Sequence, residues 1–173
     1  MIGNALQVPN TGSLDDNKLY LGHHDNDCLG NVTHCPDGLT ISFWIYMFKQ
    51  SYQWPYSLRG TFFEFSAYTP ATNPFHAASV YNGTHRWGLG GDRIIYDYWH
   101  HYAFVYTAEG GFVIYTDGYR RDQDGPHSEV RPSIEYEMGC IGSQNCAKAK
   151  YDDLRVWNEA KDEDFIWHLW QAL

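Results

Sequence analysis

Apolar and polar side chains alternate most regularly from Thr40 to Met47. Ile41, Phe43, Ile45 and Met47 share one face of an extended chain, and Ser42, Trp44 and Tyr46 share the other. The preceding Cys35-Pro36-Asp37-Gly38 has the residue types of a turn that launches this strand. A second short strand is expected at Thr61 to Phe65, with Phe63 and Phe65 on one side and Phe62 and Glu64 on the other. Between the two, residues 51–57 (Ser-Tyr-Gln-Trp-Pro-Tyr-Ser) are expected to form an aromatic loop rather than a strand.

Further along, Trp99 to Thr107 and Phe112 to Thr116 form a predicted β-hairpin. Its connection, Ala108-Glu109-Gly110-Gly111, supplies the positive-φ positions that a tight reversal needs. Asp117-Gly118 makes another turn, and Tyr119-Arg120-Arg121 starts the return strand. Ile134 to Ile141 and Asp153 to Trp157 complete the expected strands. The C-terminal stretch has a different period. Asp162 can cap a short helix through Trp170, with Phe165, Ile166, Leu169 and Trp170 as its buried stripe. Many short strands and one short C-terminal helix argue for an all-β sandwich or jelly roll. Residues 1–173 are expected to form a single domain, with no internal repeat or linker.

Composition supports the strand reading: 14 Tyr and 16 Gly suit half-buried strands joined by tight turns. The net charge of −9 argues against nucleic acid as a partner, because an acidic surface repels phosphate backbones. No apolar stretch is long enough to span a bilayer, so direct membrane insertion is not expected. Met1-Ile2-Gly3-Asn4 does not open a basic region followed by an apolar core, so no signal peptide is visible. That leaves a cytosolic protein or an excised piece of a longer secreted chain.

The cysteines favour the second choice. Four Cys fall into two close pairs, expected to be disulfides: Cys28 with Cys35, and Cys140 with Cys146. Neither pair is C-x-x-C, which leaves a zinc site or a redox motif poorly supported. Local closure would contribute roughly 2–3 kcal/mol per bond before native strain is subtracted. Two sequons, at Asn31 and Asn82, are candidate glycosylation sites, and Asn31 lies inside the Cys28–Cys35 loop. Together these features point to an oxidising compartment and an extracellular or cell-surface setting.

Several segments in order resemble the laminin G-like, concanavalin A-like jelly roll, to which pentraxins are similar. Trp99-His100-His101-Tyr102-Ala103 matches the family's W-x-H-hydrophobic-A strand, and Tyr115-Thr116-Asp117-Gly118 its Y-x-D-G strand end. Residues 39–45 (Leu-Thr-Ile-Ser-Phe-Trp-Ile) and 151–158 (Tyr-Asp-Asp-Leu-Arg-Val-Trp-Asn) match two further strands. Gly3-x-Ala5-Leu6 and Leu19-x-Leu21-Gly22 resemble the first hairpin. The resemblance implies a sandwich of two antiparallel sheets and a role in binding glycans or proteins, sometimes through Ca²⁺. These motifs mark strands and turns, so they carry fold more strongly than function.

Three kinds of chemistry are open to these residue types. Polysaccharide hydrolysis needs two carboxylates facing one cleft. Glu135-Tyr136-Glu137 is the nearest approach and lacks the E-x-D-x-E arrangement of hydrolytic relatives, so no enzyme is expected. Calcium would need six to eight oxygen ligands. Asp25 and Asp27 are the candidate ligands, with Asp15, Asp16 and Asp92 as further carboxylates, although no cofactor is required by the pattern. Asp117 and Asp152 are expected to be turn or strand-end hydrogen-bonders. Among nine His, His23-His24 and His100-His101 invite a zinc reading. Adjacent strand residues point to opposite faces, however, and cannot readily share one ion. His101 is expected to pack or make a structural hydrogen bond. Tyr52, Trp54 and Tyr56 are the candidate ligand-binding residues, since amphipathic rings stack on sugars or anchor protein partners; Tyr81 and Trp87 are weaker ones. The expected function is an extracellular recognition or adhesion module for a glycan or an extracellular protein. A structural spacer domain is the alternative, and a polysaccharide-active enzyme a distant third.

Overall fold

A computed structural model of the chain describes residues 6–8, 18–24, 27–29, 34–49, 56–59, 63–68, 75–81, 86–124, 135–141, 145–146 and 149–172. Side chains are described for 21–24, 27–29, 34–49, 89–90, 93–123 and 149–172.

The strands are β1 (Leu6–Val8), β2 (Lys18–His23), β3 (Leu39–Met47), β4 (Tyr56–Arg59), β5 (Phe63–Tyr68), β6 (Phe75–Tyr81) and β7 (Arg86–Arg93). They continue as β8 (Trp99–Thr107), β9 (Gly111–Thr116), β10 (Tyr119–Asp124), β11 (Glu135–Ile141), β12 (Asn145–Cys146) and β13 (Ala149–Trp157), followed by helix α1 (Glu163–Gln171). A six-stranded sheet has the order β1-β13-β3-β8-β9-β10, and a seven-stranded sheet the order β2-β11-β12-β4-β5-β6-β7. Among the described residues every pairing is antiparallel except a single bridge, Cys146 to Tyr56.

Alternation along β3 and β8 builds the core. Leu39, Ile41, Phe43, Ile45 and Met47 are buried between the sheets with Tyr102, Phe104 and Tyr106 from β8. Leu89 of β7 joins them and Leu21 of β2 packs against them from the seven-stranded side. Phe43 stands at the centre, its ring centroid 6.1 Å from Phe104 and 6.4 Å from Tyr102. Burying side chains of this size contributes about 1.5–3 kcal/mol each.

The other face of the six-stranded sheet is covered by α1. Ile166 packs with Ala103, Val105 and Tyr115, flanked by Phe165 and Ala160. Asp162 caps the helix as expected, its carboxylate accepting from the Phe165 N–H at 2.8 Å. Of the expected stripe, Ile166 and Leu169 are buried, whereas Phe165 and Trp170 are half-buried at its margins.

Four expectations are corrected. The segments containing Leu6 and Leu19 do not form a hairpin: β1 pairs with β13 and β2 with β11, in opposite sheets. Tyr56, assigned to a loop, begins β4, whose partner β5 starts two residues later than expected. β6 and β7 were not foreseen, because Ala, Ser and Gly dilute their alternation. β13 begins at Ala149, not Asp153. Its register breaks between Asp152 and Arg155, where Asp153 adopts φ 51°. Such a bulge disrupts the period-two pattern by which a strand is recognised.

The Cys28–Cys35 disulfide is formed, with both residues buried and a Cα separation of 5.1 Å. Cys140 and Cys146 are direct cross-strand partners of β11 and β12. Among the described residues no helix is long and apolar enough to cross a membrane.

Candidate site at the β7–β8 rim

The connection between β7 and β8, residues 94–98, closes one end of the sandwich. Ile94 is buried in the core, and the Asp97 N–H donates to the Met47 carbonyl at 2.9 Å, so both ends of the loop are held. Asp97 sits at φ 59°, a left-handed conformation that Asp tolerates better than most residues. Between these anchors the chain presents Ile95 to solvent, and just past Asp97 it presents Tyr98, 58% and 59% exposed.

Beneath the loop, Tyr98 meets His100 edge-on at 5.5 Å. The His100 ring is buried (4% exposed) and its Nδ1 lies 2.8 Å from Oδ2 of Asp117. A carboxylate only accepts, so Nδ1 carries the proton and donates. Nε2 is buried and has no hydrogen-bond partner among the described residues. The other Asp117 oxygen accepts from the His101 backbone N–H at 2.8 Å, and the Asp117 N–H donates to the His101 carbonyl at 2.8 Å. One aspartate therefore locks two consecutive residues of β8. The local sequence makes this feasible: Asp117 at φ 51° and Gly118 at φ 79° form the two-residue turn between Thr116 and Tyr119, of the twist that suits a hairpin.

Arg93, Tyr96, His100 and Asp117 line a hollow of about 570 Å³, with Ile94 and Ile95 as its apolar wall. It offers an exposed guanidinium that donates, a partly exposed carboxylate that accepts, and an adjacent aromatic face on Tyr98. Apolar surface with a few convergent polar groups is the usual make-up of a ligand site.

His101 lies on the opposite face, as alternation requires. It is buried against Trp44 with ring centroids 5.2 Å apart. Burial holds its pKa down at about 4, opposed by the nearby Asp117 and Asp153 carboxylates. Packing is thus the role of His101, and the structural ring hydrogen bond belongs to its neighbour His100. No group of three or more His, Cys, Asp or Glu side chains is placed to hold a metal among the described residues.

Of the candidate binding residues, Tyr52 and Trp54 lie outside the described residues, and Tyr56 is described only as the first residue of β4. Asp25, Asn31 and Asn82 also lie outside them. Asp27 is half-exposed and its carboxylate accepts from His24 Nδ1 at 2.7 Å. Glu135 and Glu137 sit on β11 with a register irregularity beside Glu137, and Tyr81 and Trp87 sit on β6 and β7. Sequence reasoning missed Arg93, Ile95, Tyr96 and Tyr98. The available signal was the apolar-aromatic run from Ile94 to Tyr98 broken by a single Asp, which fits neither strand alternation nor a polar loop.

A profile of the laminin G type, described as the concanavalin A-like lectin/glucanases superfamily, matches residues 10–166. The chain belongs to this superfamily. No curated protein sequence matches it. Solved structures of the same fold include the native heptameric SAP-like pentraxin of Limulus polyphemus, at 18% identity and TM-score 0.57, covering 76% of this chain and 68% of the pentraxin. Botulinum neurotoxin type C, whose cell entry depends on interaction with two ganglioside molecules, superposes with TM-score 0.74 at 14% identity, covering 98% of this chain. The binding domain of botulinum neurotoxin DC, solved in complex with rat synaptotagmin II, superposes with TM-score 0.73 at 15% identity over 98% of this chain. The chain spans about 45% of the length of either toxin chain. The Asp117-Gly118 turn holds His100 and His101 within the matched segment.

Proposed function

We propose that this laminin G-like domain is a recognition module of an extracellular or cell-surface protein, and that it binds a glycan at the β7–β8 rim. The observation that carries this reading is Tyr98. An aromatic ring 59% exposed stands beside a hollow that also presents Arg93 and Asp117. An aromatic face stacks on the C–H face of a pyranose, while guanidinium and carboxylate groups pair with its hydroxyls. The end of β3 reaches this same rim, since the Asp97 N–H donates to the Met47 carbonyl. Two toxin neighbours of the fold, one interacting with gangliosides and one solved in complex with SialylT, add weight to a carbohydrate ligand. The synaptotagmin complex keeps a protein ligand as the second reading.

Binding is favoured over hydrolysis because Asp117 is the single carboxylate among the described lining residues, and it is already engaged by His100 and the His101 N–H. Glycoside hydrolysis uses a pair. The disulfide Cys28–Cys35 supports an oxidising setting. Calcium at Asp25 and Asp27 is a separate proposal: thermal melts with Ca²⁺ and with EDTA should differ if the ion binds the native state, and coincident melts would remove it.

The main test is a glycan array probed with the purified domain and with Tyr98→Ala and Arg93→Ala. The expected result is selective binding by the native chain that falls at least tenfold in both variants. Array binding that persists in both would move the site elsewhere. An empty glycan array together with binding on an extracellular-protein array would replace the glycan with a protein ligand.

A further inference from the structure

A second hollow, away from the β7–β8 rim, opens beside the Cys28–Cys35 loop. β1 covers β13 only along Ala149–Tyr151, so among the described residues the rest of β13 is paired with β3 alone. The bulge at Asp153 then turns the strand. As a result Val156, the register partner of the buried Ile41, remains 41% exposed on a face that is otherwise core. Between the two sheets this leaves a pocket of about 230 Å³ walled by Leu21, Leu29, Ile41, Leu154 and Val156. Protein interiors are close-packed, and an apolar void forfeits the contacts its lining would otherwise make.

The mouth carries three polar residues, His24, Asp27 and Asn158. His24 presents Nδ1 to the Asp27 carboxylate at 2.7 Å and Nε2 to the Leu21 carbonyl at 3.2 Å. The His24 ring and the Asp27 carboxylate are thus engaged with one another across the mouth. The mouth therefore holds a histidine–carboxylate hydrogen bond, and the Asn158 amide adds a neutral hydrogen-bonding group.

We propose that this pocket is a binding site for a small, uncharged, mainly apolar molecule of about bicyclic aromatic size with one hydrogen-bond donor. The size follows from volume: a cavity of roughly 150 Å³ lined by Leu, Ile and Phe accommodates benzene, and 230 Å³ adds room for a second fused ring. The walls, built from Leu21, Leu29, Ile41, Leu154 and Val156, suit neither a sugar nor an ion. This site and the glycan site do not depend on each other.

The test uses indole as the probe, titrated into the whole chain labelled at its methyl groups. The expected result is saturable shift changes confined to the Leu21, Leu29, Leu154 and Val156 methyls. Affinity should fall at least tenfold in Val156→Trp, which fills the mouth from an exposed position, and in Leu154→Phe, which fills the wall. Glycan binding should be unchanged in both. Absence of saturable shifts, shifts mapping to other methyls, or full affinity in both folded variants would each overturn the proposal. Sedimentation showing a dimer that shields Val156 and excludes indole would overturn it in favour of a second copy of the chain.

Discussion

Asp117 is joined to His100 by a 2.8 Å hydrogen bond between its Oδ2 and the buried Nδ1, and the same carboxylate accepts the N–H of His101. A buried imidazole deprived of its partner keeps the desolvation cost, about 1–3 kcal/mol, without the compensating bond. Asp117→Ala should therefore destabilise the fold by about 2–4 kcal/mol, the larger figure including the positive φ that Ala adopts poorly. Asp117→Asn keeps an acceptor for the His101 N–H and tolerates that φ, so it should lose less. Urea midpoints in the order native, Asn, Ala would bear this out; equal midpoints for the two variants would contradict it.

Gly118 and Gly38 make room for the elements that cross them. At φ 79°, Gly118 lies under the helix, where an added Cβ would stand 2.9 Å from Trp167 and 3.0 Å from Trp170. At φ 89°, Gly38 faces the Tyr106 carbonyl oxygen, and its Cβ would stand 2.7 Å from that of Ala160. Trp side chains can shift; a strand carbonyl cannot. Gly38→Ala should thus cost more than Gly118→Ala, with about 1–3 kcal/mol expected for the latter from overpacking and conformation. Thermal melts of the two variants give the order directly.

The depressed pKa of His101 makes stability depend on pH. Its native value of about 4 lies below the ordinary 6.5, so between those values the unfolded chain binds a proton that the native state does not. Stability from this residue is complete above pH 6.5, falls as pH drops through the window, and levels off below 4. A shift of this size corresponds to about 3 kcal/mol. His101→Gln cannot ionise and should flatten that part of the profile. Urea unfolding of both proteins at pH 7 and pH 4 would show it, and parallel losses would disprove it.

Cys140 and Cys146 face each other across β11 and β12, and directly opposed antiparallel residues are about 4.5–5.5 Å apart at Cα, within reach of a disulfide. Non-reducing peptide mapping should recover Cys28–Cys35 and Cys140–Cys146 as separate bridged peptides. Removing the first bridge with a Cys28→Ala, Cys35→Ala double variant should cost about 2–3 kcal/mol by loop-closure entropy. A Cys28–Cys140 or Cys28–Cys146 peptide would refute the pairing.

Much of the architecture was legible before any coordinates. Ile41, Phe43, Ile45 and Met47 declare one buried face because a strand's period of two is written directly in residue type. Asp117-Gly118 declares its turn because few residues adopt two positive φ values in succession. Asp162 declares the helix start through its cap. What sequence alone did not determine depended on residues distant along the chain. β1 and β2 enter opposite sheets because their partners are β13 and β11, more than a hundred residues away. The division of roles between His100 and His101 is decided by Asp117, which reaches the inner-facing ring and leaves the outer one to Trp44. The two hollows belong to the same class. Ile95 and Tyr98 are exposed beside Ile94, which is buried in the core, and Asp97, which is bonded to β3, and Val156 is exposed where β13 has passed β1 and bulged at Asp153. Local pattern specifies which residues alternate and where the chain turns. Which surfaces are left uncovered, and so available to a ligand, is set only when both sheets are assembled.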